Sequence, residues 1–326
     1  MLTFPNLVDA YLTYLQDRSS SRRVRAVVQQ WIGQLTEMPT RQAILARHQR
    51  RAENGVPTTG HYRPGAQSAN KELSVLRSLI RWGIYEGQWR SINPTDGIRK
   101  WKTPRRRRVL NYQEMSRVLH ALDFAQSACE LRDRAFFGLL LFSGCRPLEA
   151  CRARAEEITT YSSMGRWIKP ITKNGHAHEI PLPRQMMEWL RAYHAGTSGF
   201  LFPGADGGPI TPRAMQKRWS KWRSELRFEG LYDGFWLYDF RRTLATYLIT
   251  VLKEDSVTVQ AILNHYDGRA IGHYSHHTFD TLTPIVQHYA DWLCSHREAS
   301  YDTSHLVCGI QPVADSRLGG AAAAHG

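Results

Sequence analysis

Five side chains, Arg146, Lys173, Arg241, His265 and Tyr274, follow one another along the chain in surroundings that suit phosphodiester chemistry. Attack on a phosphodiester builds negative charge on the non-bridging oxygens, so a site for it must hold fixed positive donors. Arginine serves best, because its planar guanidinium stays charged and grips two oxygens at once. One such preorganised donor is worth on the order of 10²–10³ in rate. Attack by a tyrosine oxygen leaves a 3′-phosphotyrosine and expels a 5′-hydroxyl, which needs a proton; Lys173 at a hairpin tip can supply it as general acid. A phenol ordinarily ionises near pH ~10, so neighbouring cations must assist Tyr274. His265, nine residues before Tyr274, is placed to donate a hydrogen bond to the phosphate. Taken singly, Arg146 reads as a surface salt bridge, Lys173 as a solvated tip and Tyr274 as a core aromatic. The ordered set outweighs these readings.

These residues need rigid elements to hold them. The apolar segment Asp133–Phe142 predicts a buried helix ending at Ser143-Gly144, with Arg146 just beyond the bend and Glu149 positioned to orient its neighbours. Residues 156–182 predict a short hairpin or three-stranded antiparallel sheet, with strands at 166–172 and 178–182 joined by Lys173-Asn174-Gly175, a favoured hairpin turn. Arg241 begins a predicted helix in R-R-T-L-A-T-Y-L-I. Further helices are predicted from Asn111, an N-cap with Glu114 completing a capping box, over 184–195, from Thr211-Pro212, and over about 279–294. The helix after Pro212 carries Met215, Trp219, Trp222 and Leu226 on one face, read as core, and Arg213, Lys217, Arg218, Lys221 and Arg223 elsewhere, a pattern suited to the major groove.

The N-terminal third reads as a small basic helical domain, with helices over 4–15, 24–35 and about 68–86. In the third helix Leu73, Leu76, Ile80 and Ile84 are expected inward, and Lys71, Arg77 and Arg81 outward toward DNA. Glu53–Gly65 reads as a loop through its Gly and Pro content. Residues 1–108 hold 20 Lys+Arg against 7 Asp+Glu, so +13 of the net +14 lies there, and a polyanion is the natural partner. Lys100, Lys102, Arg105, Arg106, Arg107 and Arg108 crowd a segment without apolar periodicity, expected to cross a DNA backbone and lend affinity rather than sequence choice. The expected organisation is a helical DNA core-binding domain over 1–98, a basic linker over 99–108, a catalytic domain over 109–298 and a disordered tail over 299–326.

No segment nears the roughly 18 apolar residues of a membrane span, and the N-terminus lacks a secretory start, so a cytoplasmic, nucleoid-associated protein is expected. Five cysteines without C-x-x-C spacing read as reduced thiols. His273, His276 and His277 surround Tyr274, but no ligand pattern accompanies them, and no metal is expected.

The motifs together resemble the tyrosine recombinases, or phage-type integrases. Ser143-Gly144-Cys145-Arg146-Pro147-Leu148-Glu149 matches the family's T/S-G-x-R-x-x-E, and Lys173 the hairpin lysine ahead of Glu179-Ile180-Pro181-Leu182. Tyr238-Asp239-Phe240-Arg241-Arg242-Thr243 matches H-x-L-R-[RH]-T, and Leu263-Asn264-His265 matches L-G-H. The nucleophile then falls on Tyr274 rather than on Tyr266 or Tyr289. The resemblance implies a mainly α fold with a small antiparallel β-sheet, a C-shaped clamp on double-stranded DNA with specific recombination sites, a homo-tetramer passing through a Holliday junction, and no cofactor. Accessory DNA-bending or directionality factors, and an origin in a mobile element, belong to the same picture. The chain departs from the family at Tyr238, whose phenol can donate a hydrogen bond to a phosphate oxygen but cannot carry an imidazolium charge. A clamp that binds without cutting, or a relaxing enzyme of the type IB topoisomerase kind, are the alternatives.

Overall fold

In the computed structural model the described residues are 2–15, 21–54, 64–103, 108–170, 177–193, 196, 198–225, 235–265 and 277–298. The chain is mainly helical with one small antiparallel sheet, and it divides into two compact units, Met1–Arg106 and Arg107–Gly326. No helix among the described residues is long and apolar enough to cross a membrane.

In the first unit, α1 (Phe4–Tyr14) starts at Thr3, whose hydroxyl caps the Asn6 amide, with Pro5 in the first turn. α2 (Ser21–Gln30) gives way to a 3-10 turn at Ile32–Gln34, so the helix expected to reach residue 35 ends earlier. α3 (Arg41–Glu53) was not foreseen: its inward stripe is only Ile44, His48 and Ala52, too narrow and too polar for periodicity to expose. α4 (Ala66–Tyr85) buries Leu73, Leu76, Leu79 and Ile80 against Phe4, Leu7, Val8 and Ile32, whereas Ile84, expected inward, is 40% exposed. Beyond α4, Trp101 docks back on the unit: its backbone exchanges hydrogen bonds with the Asn70 amide at 2.8 and 2.9 Å, and its ring stacks on His48. Residues up to Trp101, read from sequence as the start of a linker, are therefore part of this unit.

In the second unit, α5 (Tyr112–Asp123) has the expected capping box between Asn111 and Glu114. α6 (Ala128–Ser143) is buried from Asp133 to its last residue. α7 (Pro147–Arg152) follows directly, then the sheet of β1 (Ile158–Tyr161), β2 (Met164–Lys169) and β3 (His178–Leu182), in the order β1-β2-β3 with Lys169 opposite His178. β2 is described to Lys169, and residues 171–172, expected to continue it, lie outside the described residues. α8 (Arg184–Ala192), α9 (Pro212–Glu225), α10 (Leu237–Thr250), α11 (Ser256–Ile262) and α12 (Phe279–Glu298) complete the described elements. α6 is the central rod, with α8, α10, α12 and β3 packed on it. Phe137 on α6 meets Trp219 and Phe240 in edge and stacked contacts, so the tryptophan read as core is core. The buried Asp133 carboxylate accepts from Arg218 at 2.6 Å and from the Trp222 indole at 2.9 Å, locking the inner face of α9.

Candidate active site

Arg146 is aimed by a sharp bend. α6 closes on Gly144 in the left-handed region (φ 60°), which strains any L side chain, and a Cβ there would also press a Leu263 methyl at 2.8 Å, so glycine suits both the turn and the contact. Arg146 then caps α7: its amide donates to Glu149 Oε2 at 3.0 Å and its guanidinium to Oε1 at 2.8 Å. Lys169, at the end of β2, donates to the same carboxylate at 2.8 Å. Burial alone would raise the Glu149 pKa, but the Lys169 charge and the hydrogen bonds from Lys169 and Arg146 win and bring it down to about 2.

Arg241 sits in the second turn of α10, which begins at Leu237, four residues earlier than expected. Asp239 fixes that start by accepting the Trp236 amide at 2.8 Å. The Arg241 side chain is buried and donates to the Gly144 carbonyl at 2.6 Å and to the Leu263 carbonyl. It thereby joins the bend that carries Arg146 to the turn that carries His265. Burial first, and the Arg146 charge second, lower its pKa to about 10, which leaves it charged at neutral pH.

The turn that carries His265 is a helix C-terminus of the Schellman kind. Asp255 caps the start of α11, and at its end Asn264 adopts φ 50° while its amide donates to Ala261 and that of His265 to Gln260. Asparagine is the side-chain residue that best tolerates this region, which explains how it stands where the motif has glycine. The His265 ring has its pKa lowered by loss of hydration and then by Arg241 and Arg146. Tyr238, one turn before Arg241 on the same face of α10, is 48% exposed and within Coulombic reach of it.

Arg146, Tyr238, Arg241 and His265 thus converge. Lys173 and Tyr274 lie outside the described residues, as do Tyr266, His273, His276, Leu226, Arg105, Arg106, Arg107, the Asn174-Gly175 turn and the tail from 299. Two guanidinium groups that repel each other, flanked by an imidazole and a phenol, form a place that an oxyanion stabilises. A guanidinium carries more donors than the two that Arg241 spends on carbonyls, so it can hold structure and anion together.

Residues 108–281, more than half of the chain, match the phage integrase family. The chain belongs to that family. It is 26% identical over 292 residues to the tyrosine recombinase XerC of Xylella fastidiosa (strain 9a5c), covering 86% of this chain and 95% of that protein. Its fold is similar to a lambda integrase dimer bound to a COC′ core site (TM-score 0.61, 17% identity, 84% of this chain and 77% of that one). It is equally similar to a lambda integrase tetramer bound to a Holliday junction (TM-score 0.61, 16% identity, 83% and 79%).

The cations of this phage integrase family protein expected on DNA fall into groups. Lys71, Lys100, Lys102, Arg213, Lys217 and Lys221 are exposed. Arg81 is exposed and paired with Asp96 at 3.3 Å. Arg77 corrects the expectation that it faces outward: its guanidinium turns in to the carbonyls of Thr95 and Ile98 at 2.8 and 2.9 Å, supplying donors that the turn after α4 lacks. Arg108 is held by Glu114, with Nη1 2.9 Å from Oε2. Sequence reading missed Lys169 and His178. Strand parity was the available signal, since Lys169 shares a face with the buried Trp167, and His178 with the buried Ile180 and Leu182.

Proposed function

We propose that this site-specific recombinase of the phage integrase family cuts and rejoins double-stranded DNA at specific sites with Tyr274 as nucleophile. In this reading Arg146 and Arg241 hold the non-bridging oxygens of the scissile phosphate, His265 and Tyr238 donate to the same phosphate, and Lys173 protonates the leaving 5′-hydroxyl. The attacking phenol oxygen forms its bond to phosphorus as the bond to the 5′-oxygen breaks. The reverse attack by a 5′-hydroxyl from a partner strand restores the phosphodiester and frees the tyrosine. The observation that carries this reading is the link Arg241 makes between the Gly144 and Leu263 carbonyls, which brings two guanidinium groups and an imidazole to one place.

The finer assignments follow the same reading. The first unit, packed through Trp101, is a DNA core-binding domain, with Lys71, Lys100, Lys102 and the 105–107 arginines on phosphates, while Arg213, Lys217 and Lys221 on α9 face a groove. Four copies assemble on DNA through a Holliday junction, as in the lambda integrase tetramer similar in fold. A nicked suicide substrate carrying the site should trap a covalent adduct on a denaturing gel, and Tyr274→Phe should abolish it. An adduct of undiminished yield with Tyr274→Phe would overturn the nucleophile, and no adduct with the unaltered protein on its own site would overturn the activity.

A further inference from the structure

His178 opens β3, five residues after Lys173 in the chain, and takes no part in the chemistry above. Its ring spans to another element: Nε2 lies 3.2 Å from the Ala261 carbonyl on α11. That carbonyl already accepts the Asn264 amide at 3.0 Å, one of the bonds that close the turn before His265. A carbonyl only accepts, so the proton on the neutral ring belongs to Nε2. Burial, and then the charge of Lys169 opposite it in the sheet, push the His178 pKa down to about 4 and keep the ring neutral. Nδ1 is buried and finds no hydrogen-bond partner among the described residues. A leucine on this face, beside Ile180 and Leu182, would carry no such penalty, so filling space does not account for an imidazole here.

The turn that presents His265 is therefore braced from two sides. Arg241 on α10 holds the Leu263 carbonyl, and His178 on β3 holds the Ala261 carbonyl. We infer that His178 is a positioning residue, which fixes His265 for the strand-transfer step by donating to the Ala261 carbonyl and ties that turn to β3. The inference rests on the function proposed above in taking His265 as a phosphate donor.

The test uses the full-length protein with His178→Leu, which keeps bulk but removes the donor, and His178→Gln, which keeps an N–H. With a suicide substrate under single-turnover conditions, His178→Leu should bind DNA as before but form adduct about tenfold more slowly, since small displacements of a reacting group have effects of this size or larger. His178→Gln should recover most of the rate. In a His265→Ala background, adding His178→Leu should cause no further loss, because the residue acts through His265. NMR titration of His265 in the DNA-free protein should show its midpoint moving up toward the ordinary value of about 6.5 in His178→Leu as the turn loosens away from the two guanidinium groups. Should His178→Leu not fold, His178→Met is read by the same measures. Unaltered cleavage, a full additional loss in the His265→Ala background, or an unmoved His265 midpoint would each overturn the inference. If the unaltered protein forms no adduct, the recombinase reading fails, and the NMR titration alone decides whether His178 positions His265.

Discussion

Lys169 Nζ lies 2.8 Å from Glu149 Oε2, both side chains largely shielded from water, and the same carboxylate holds the Arg146 guanidinium. The ion pair therefore supports one of the two guanidinium groups from below. Removing one member of a buried pair leaves the other charge uncompensated, which costs roughly 3–5 kcal/mol. Glu149 keeps Arg146 as a partner, so Lys169→Met should lie at the lower end, about 3 kcal/mol by urea unfolding, with adduct formation slowed as Arg146 loses its orientation. Lys169→Arg should retain most of both. Stability within about 0.5 kcal/mol of the unaltered protein for Lys169→Met would show that the pair does not hold this region.

Arg241→Lys tests whether the guanidinium works as a bridge. An ammonium keeps the charge but cannot span the Gly144 and Leu263 carbonyls while also gripping a phosphate. The expected outcome is a folded protein that binds DNA, with cleavage down on the order of 10²-fold in single-turnover assays. A variant that cleaves at the original rate would mean that charge alone suffices.

What could be read from sequence and what could not divide along physical lines. Helix ends marked by local side-chain chemistry, the Asn111–Glu114 box and Gly144 after α6, are where the sequence places them, because the residues that make them are neighbours. The convergence of Arg146, Arg241 and His265 was suggested by motif order, but the carbonyls that enforce it belong to Gly144 and Leu263, whose backbone oxygens carry no sequence signature. Lys169 was overlooked because a cation in a short strand reads as solvated until a carboxylate 20 residues away is seen beneath it. Arg77 misled for the opposite reason: on an amphipathic helix it reads as outward, yet the carbonyls of the following turn recruit it.

Tyr238 stands where the family motif has histidine. If its hydroxyl donates to the phosphate, Tyr238→Phe should leave DNA affinity intact and slow adduct formation about tenfold, the scale of one neutral hydrogen bond of about 1.4 kcal/mol. Tyr238→His should restore or raise the rate. Equal rates for tyrosine and phenylalanine would remove Tyr238 from the site.

Asn264 carries the backbone strain of the His265 turn at φ 50°. Asn264→Gly should be neutral or stabilising, and Asn264→Ala should lower stability by about 1 kcal/mol, since a Cβ without a polar side chain is poorly tolerated there. Thermal unfolding of the three proteins orders them directly. A valine variant should fall below alanine, because β-branching worsens the same clash.

Acid stability should report on His178 and Glu149 in sequence. His178 is pushed down to about 4 by burial and Lys169, whereas an unfolded ring takes up its proton near ~6.5. Between those values the unfolded chain binds more protons than the folded one, so stability falls as pH drops through that window, by at most about 3 kcal/mol. Glu149, at about 2 when folded, adds a second loss of the same sign as pH falls below its ordinary range near ~4.3. His265 and His48, whose rings are also held below the ordinary value, add losses of the same sign, so in His178→Gln the decline in unfolding free energy from about pH 7 to pH 5 should become shallower than in the unaltered protein while the Glu149 step remains. Chemical denaturation across this range measures both curves, and parallel slopes would place the His178 ring in water rather than against α11.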